Sequence, residues 1–61
     1  MDTTEANGNL HKQRGKLKQK FAGLTGNDKL FKEGVREEAY GKFQINLSQT
    51  RRELQKILAA L

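Results

Sequence analysis

Apolar residues recur at helical spacing in three stretches of this 61-residue chain. Ala6, Leu10, Leu17, Phe21 and Leu24 fall on one stripe when successive residues are turned by about 100°. Val35, Ala39, Phe43 and Leu47 advance by fours and form a second stripe, with Phe31 and Tyr40 at its edges. Leu54, Ile57, Leu58 and Leu61 form a third. No window alternates with period two, so no strand is expected. The pattern predicts an all-α fold: a small helical domain of about three helices, roughly Thr4–Ala22, Asp28–Leu47 and Arg51–Ala60. Three stripes of this kind can close one small core.

Punctuation supports three elements. There is no proline, so helix ends must come from glycine and capping residues. Thr25 opens Thr-Gly-Asn-Asp, a capping-box-like start with Asp28 at the third helical position. Thr50 opens Thr-Arg-Arg-Glu, a standard box with Glu53 there. Asp2 or Thr3 is placed to cap the first helix, with Glu5 favourable near its positive end.

A glycine pattern occurs twice. Gly8 and Gly15 stand seven apart with Lys16 next, and Gly34 and Gly41 stand seven apart with Lys42 next. Each copy then continues apolar-x-x-x-apolar-small: Leu17, Phe21, Ala22 in one and Phe43, Leu47, Ser48 in the other. The chain therefore reads as one domain over 1–61, made of two related helical units plus a C-terminal amphipathic helix. The glycines lie off the apolar stripes, and each interior one costs about 1 kcal/mol relative to alanine. Two roles are open to them: letting two backbones approach on a second face, or marking bends. A break of the first helix near Gly15 is favoured for the first copy, whose surroundings are polar. A second contact face is favoured for the second copy, where Leu30 and Ile45 lie beside the glycines.

The run Gly15-Lys16-Leu17-Lys18, then Phe21, then Gly23-Leu24-Thr25-Gly26-Asn27-Asp28, then Glu33-Gly34, then Gly41-Lys42-Phe43-Gln44, resembles the CsbD-like family of small bacterial stress-response proteins. The resemblance covers about residues 8–47. It implies a small, cytoplasmic, all-helical protein made under general stress, with no enzyme activity, no cofactor and no established molecular role. Its motif positions here are Gly15, Lys16, Leu24, Thr25, Asp28, Gly34, Gly41, Lys42 and Gln44. Leu10 stands where the family often has Trp, Ala22 and Ser48 where it often has Gly.

Composition narrows the function. The chain is 34% hydrophobic with a mean hydropathy of −0.87. That is low for a packed globule and fits a hydrophilic protectant that orders on contact. It has no cysteine, so no disulfide or thiolate metal site, and one histidine, His11. No secretory leader pattern and no membrane-spanning run occurs, which gives a cytoplasmic expectation. The net charge of +5 is uneven: Lys12, Arg14, Lys16, Lys18 and Lys20 fall in a stretch with no acid. These five are the candidate polyanion-binding residues. Five phosphate contacts would give a salt slope of about −4.5 and little sequence information. Stems lying over Leu17 and Phe21 are the commoner use of such a run.

No catalytic constellation is found. His11 has no acid at supportive spacing along the chain and is expected to be solvated. Glu37 and Glu38 point about 100° apart and are not a catalytic pair. Arg36 and Tyr40, four apart, can pack together. The Gly-Lys pairs lack the spacing of a phosphate loop. The expectation is a non-catalytic protein, monomeric, with no metal, cofactor or small-molecule substrate, acting by binding or protection. Two rival functions are nucleic-acid binding through Lys12–Lys20, and contact of Leu54, Ile57, Leu58 and Leu61 with an anionic membrane or a protein partner.

Overall fold

The computed structural model describes residues 3–61. Among them there are two helices, α1 (Thr4–Thr25) and α2 (Asp28–Ala60), folded into an antiparallel hairpin. The expected three helices are thus two. α2 runs unbroken through Thr50, and the Thr50–Glu53 box is not used as a cap. A capping box replaces hydrogen-bond partners that a helix start lacks. Here the preceding turn of Leu47, Ser48 and Gln49 is helical and contains no glycine or proline to end it.

The reversal between the helices needs only Gly26 and Asn27. Gly26 has φ 68°, the left-handed conformation in which a Cβ is unfavourable. Its N–H and that of Asn27 both reach the Ala22 carbonyl, the latter at 3.0 Å. Thr25 is the last residue of α1 rather than the cap of α2, and its hydroxyl donates to the Phe21 carbonyl at 3.0 Å. The cap of α2 is Asn27, whose side-chain oxygen accepts from the Leu30 N–H at 3.1 Å. At the other end, Thr3 occupies the cap position of α1 without a side-chain cap bond, and Asp2 lies outside the described residues.

The helices meet along their small residues. Gly8, Gly15 and Ala22 are buried on α1, and Gly34, Gly41 and Ser48 on α2, each set spaced by seven. A Cβ added to Gly8 would stand 2.7 Å from the Gly41 carbonyl oxygen, and one added to Gly34 would stand 2.7 Å from the Gly15 carbonyl oxygen. The expected break near Gly15 does not occur: α1 is continuous, and the glycines of both copies mark the line of closest backbone approach. The two copies pack about a local twofold axis. Gly8 faces Gly41 and Gly15 faces Gly34, so the axis passes between residues 11–12 and 37–38.

The apolar stripes do not close a core. Helices whose backbones nearly touch leave no room for large side chains between them, so the large side chains point outward. Leu17 is 65% exposed, Phe43 62% and Leu24 87%, while Ala22 is the one buried hydrophobic residue among those described. The hairpin is a single layer measuring 54 × 17 × 10 Å. Its smallest dimension is one helix diameter.

Candidate functional site

Large polar side chains border the small-residue seam on both sides. On one border, Lys18 Nζ lies 2.7 Å and His11 Nδ1 3.4 Å from the Glu37 carboxylate. The Tyr40 ring meets the His11 ring edge-to-face, with centroids 5.2 Å apart. His11 is therefore half-buried against an acid from the other helix rather than solvated, with the Tyr40 ring packed on it. On the opposite border, Gln19 donates to Glu38 Oε1 at 2.7 Å, and Lys42 Nζ lies 3.1 Å from Glu38 Oε2. Glu37 and Glu38 straddle the seam, as their spacing of one residue requires.

Both carboxyls sit below the usual carboxylate range. The hydrogen bond from Lys18 is the main cause for Glu37, with His11 adding to it and partial burial opposing. For Glu38 the bond from Gln19 leads, then Lys42, again against burial, with Lys16 contributing through its charge. At the open end, Arg52 Nη2 lies 2.6 Å from Glu5 Oε2 and ties α2 to the start of α1.

The candidate cations separate into unlike groups. Lys18 is half-buried and paired to Glu37, and with Arg14 and Leu17 it lines a shallow open groove beside that carboxylate. Lys12 is half-buried, with its backbone against Gly41. Arg14, Lys16 and Lys20 are exposed and form no ion pair among the described residues. Lys16 and Lys42, equivalent in the two copies, both act on Glu38 and so share one side of the hairpin. Sequence alone missed this gathering of Lys42 with Lys16, although the repeated Gly-Lys pair was its signal.

The motif residues divide similarly. Gly15, Gly34 and Gly41 make the seam, and Gln44 borders it, its Oε1 buried without a hydrogen-bond partner among the described residues. Thr25 and Asp28 flank the turn, and Leu24 is exposed. Among the described residues no cluster of three or more His, Asp or Glu could hold a metal, and no helix is long and apolar enough to cross a membrane. No family model matches the chain, and neither a curated protein nor a solved structure matches it.

Proposed function

We propose that this chain is a non-catalytic stress-response protein of CsbD-like type that works by binding or shielding other molecules. The observation that carries the proposal is the inversion of side-chain sizes. Small residues fill the helix–helix seam, and the large apolar ones are offered to the surroundings. Exposed apolar area of this extent on a small protein marks a surface meant to be covered. On α1 that area lies beside Arg14, Lys16 and Lys20, so its target combines apolar surface with negative charge. A protein client that exposes such surface on heating is the direct test. Stoichiometric addition should lower light scattering from a heat-unfolding acidic enzyme, and Leu17→Lys with Phe21→Lys should abolish the effect. Undiminished scattering with the unaltered protein would overturn the reading.

A second reading is favoured by the gathering of Lys16 and Lys42 on one side, with Lys12 and Lys20 on the same polar face of α1. Nucleic acid bound there would shift the amide resonances of these lysines at near-physiological salt. An unchanged spectrum with short DNA and RNA removes that reading.

A further inference from the structure

The outward face of α2 carries a pattern that α1 does not share. Tyr40, Leu47, Leu54 and Leu61 stand seven apart, and Phe43, Thr50 and Ile57 stand three residues further on in each interval. These are the a and d positions of three consecutive heptads, the spacing with which a helix pairs along a supercoiled seam. The apolar members are all exposed, from 37% at Leu47 to 97% at Leu61. The seven-spaced Tyr40 line lies about 100° and the Phe43 line about 160° around the helix from the line of Gly34, Gly41 and Ser48 that holds α1. From Phe43 onward, past Tyr40 whose ring packs on His11, another helix can therefore reach the seam without displacing α1. Beyond Arg52, which still pairs with Glu5, α2 continues for about two turns in which every residue is exposed.

From these observations we infer that the occupant of this seam is the α2 helix of a second copy, so that the protein self-associates through residues 43–61. Area supports it. A compact monomer of 6.9 kDa exposes about 4,000 Å². This chain exposes 4925 Å², an excess of about 900 Å². A standard interface covers about 800 Å² on each partner. Charge supports it as well. The positions bordering the α2 seam are Gln44, Asn46, Arg51, Glu53, Leu58 and Ala60, close to neutral in sum. The equivalent border of the Leu10–Leu17–Leu24 line on α1 carries Arg14 and Lys16, with Lys20 inside the seam and no acid, so two copies of α1 would repel. The same neutrality makes the α2 seam a poor match to an anionic surface. This inference departs from the sequence expectation of a monomer.

The test is the mass of the full chain by sedimentation equilibrium over a wide concentration range, with helix content followed by circular dichroism. Expected is a mass rising from 6.9 kDa to at least twice that. Leu54→Lys with Ile57→Lys should hold it at the monomer value with most of the helical signal retained, since both side chains are exposed beyond the Arg52–Glu5 pair. Leu17→Lys should leave the assembly intact. A monomer at every concentration overturns the inference, as does assembly lost through Leu17→Lys but kept in the double variant. A monomer that floats with anionic vesicles also overturns it and assigns the seam to lipid.

Discussion

Replacing Gly15 by alanine sets two physical effects of opposite sign against each other. Within an isolated helix the change is favourable by about 1 kcal/mol, because alanine loses less conformational freedom on folding. In the hairpin the new methyl would stand 2.5 Å from the Gly34 carbonyl oxygen and 2.8 Å from Glu38 Cα, and would also clash with the Glu38 N–H group. All three obstacles are backbone, so no side-chain rotation relieves them. Restoring an ordinary contact of 3.4 Å to the nearest of these atoms requires the helices to separate locally by about 1 Å. A gap of that size forfeits a quarter to a half of the dispersion attraction along neighbouring contacts. Overpacking of this kind costs about 1–3 kcal/mol. Subtracting the propensity gain leaves a net loss of up to about 2 kcal/mol, or a fall in Tm of up to about 16 °C for a chain of this size. Gly23 is the internal control: it is exposed within α1 and an added Cβ meets nothing within 4 Å. Gly23→Ala should raise Tm where Gly15→Ala lowers it, both read by far-ultraviolet circular dichroism at one protein concentration. If Gly15→Ala also raises Tm, the glycine does not sit at a close backbone contact and the seam is misplaced.

Other changes probe the borders of that seam. Glu37 and Glu38 have lowered folded-state pKa values, so their contribution is complete above the unfolded value of about 4.3 and disappears as pH falls through the folded one. Tm should therefore hold between pH 7 and pH 5 and drop below about pH 4, and Glu37→Gln should shrink that drop; an unchanged acid limb in the variant refutes the Lys18–Glu37 contact. Gln44→Met removes a buried, unpartnered amide oxygen while keeping the side-chain length. It should stabilise by about 1 kcal/mol, and a lower Tm would mean the oxygen has a partner. Asn27→Ala removes the side-chain cap of α2 and should cost about 1 kcal/mol, whereas Thr25→Ala should cost less; the reverse order in thermal melts would restore Thr25 as the cap.

Helices were legible in the sequence because hydrophobic period and the lack of proline are local facts. What faced what was not. Apolar stripes are ordinarily read as core, and here that inference fails at Leu17, Phe21, Val35 and Phe43 for a reason visible in the same residues. A line of small side chains at every seventh position, Gly8-Gly15-Ala22 on one helix and Gly34-Gly41-Ser48 on the other, competes with the stripes for the neighbouring helix. When two such runs meet, the backbones come so close that no leucine fits between them, and the stripes are forced outward. The repeat itself held the answer, since the substitution of Ala22 and Ser48 at successive seventh positions keeps residues small where a bend would require no such thing. His11 escaped for a different reason. Its acid, Glu37, lies 26 residues away and becomes a neighbour only once the dyad is formed, as do Gln19 and Glu38 at 19 residues. Unlike residues stand at equivalent positions of the two copies, His11 with Glu37 and Lys12 with Glu38, and the first of these pairs meets across the axis. A seam of glycines alone would slide freely. The contacts of His11 and Lys18 with Glu37 and of Gln19 with Glu38 give one register a set of bonds that a one-turn slip would break, and so fix how the helices dock.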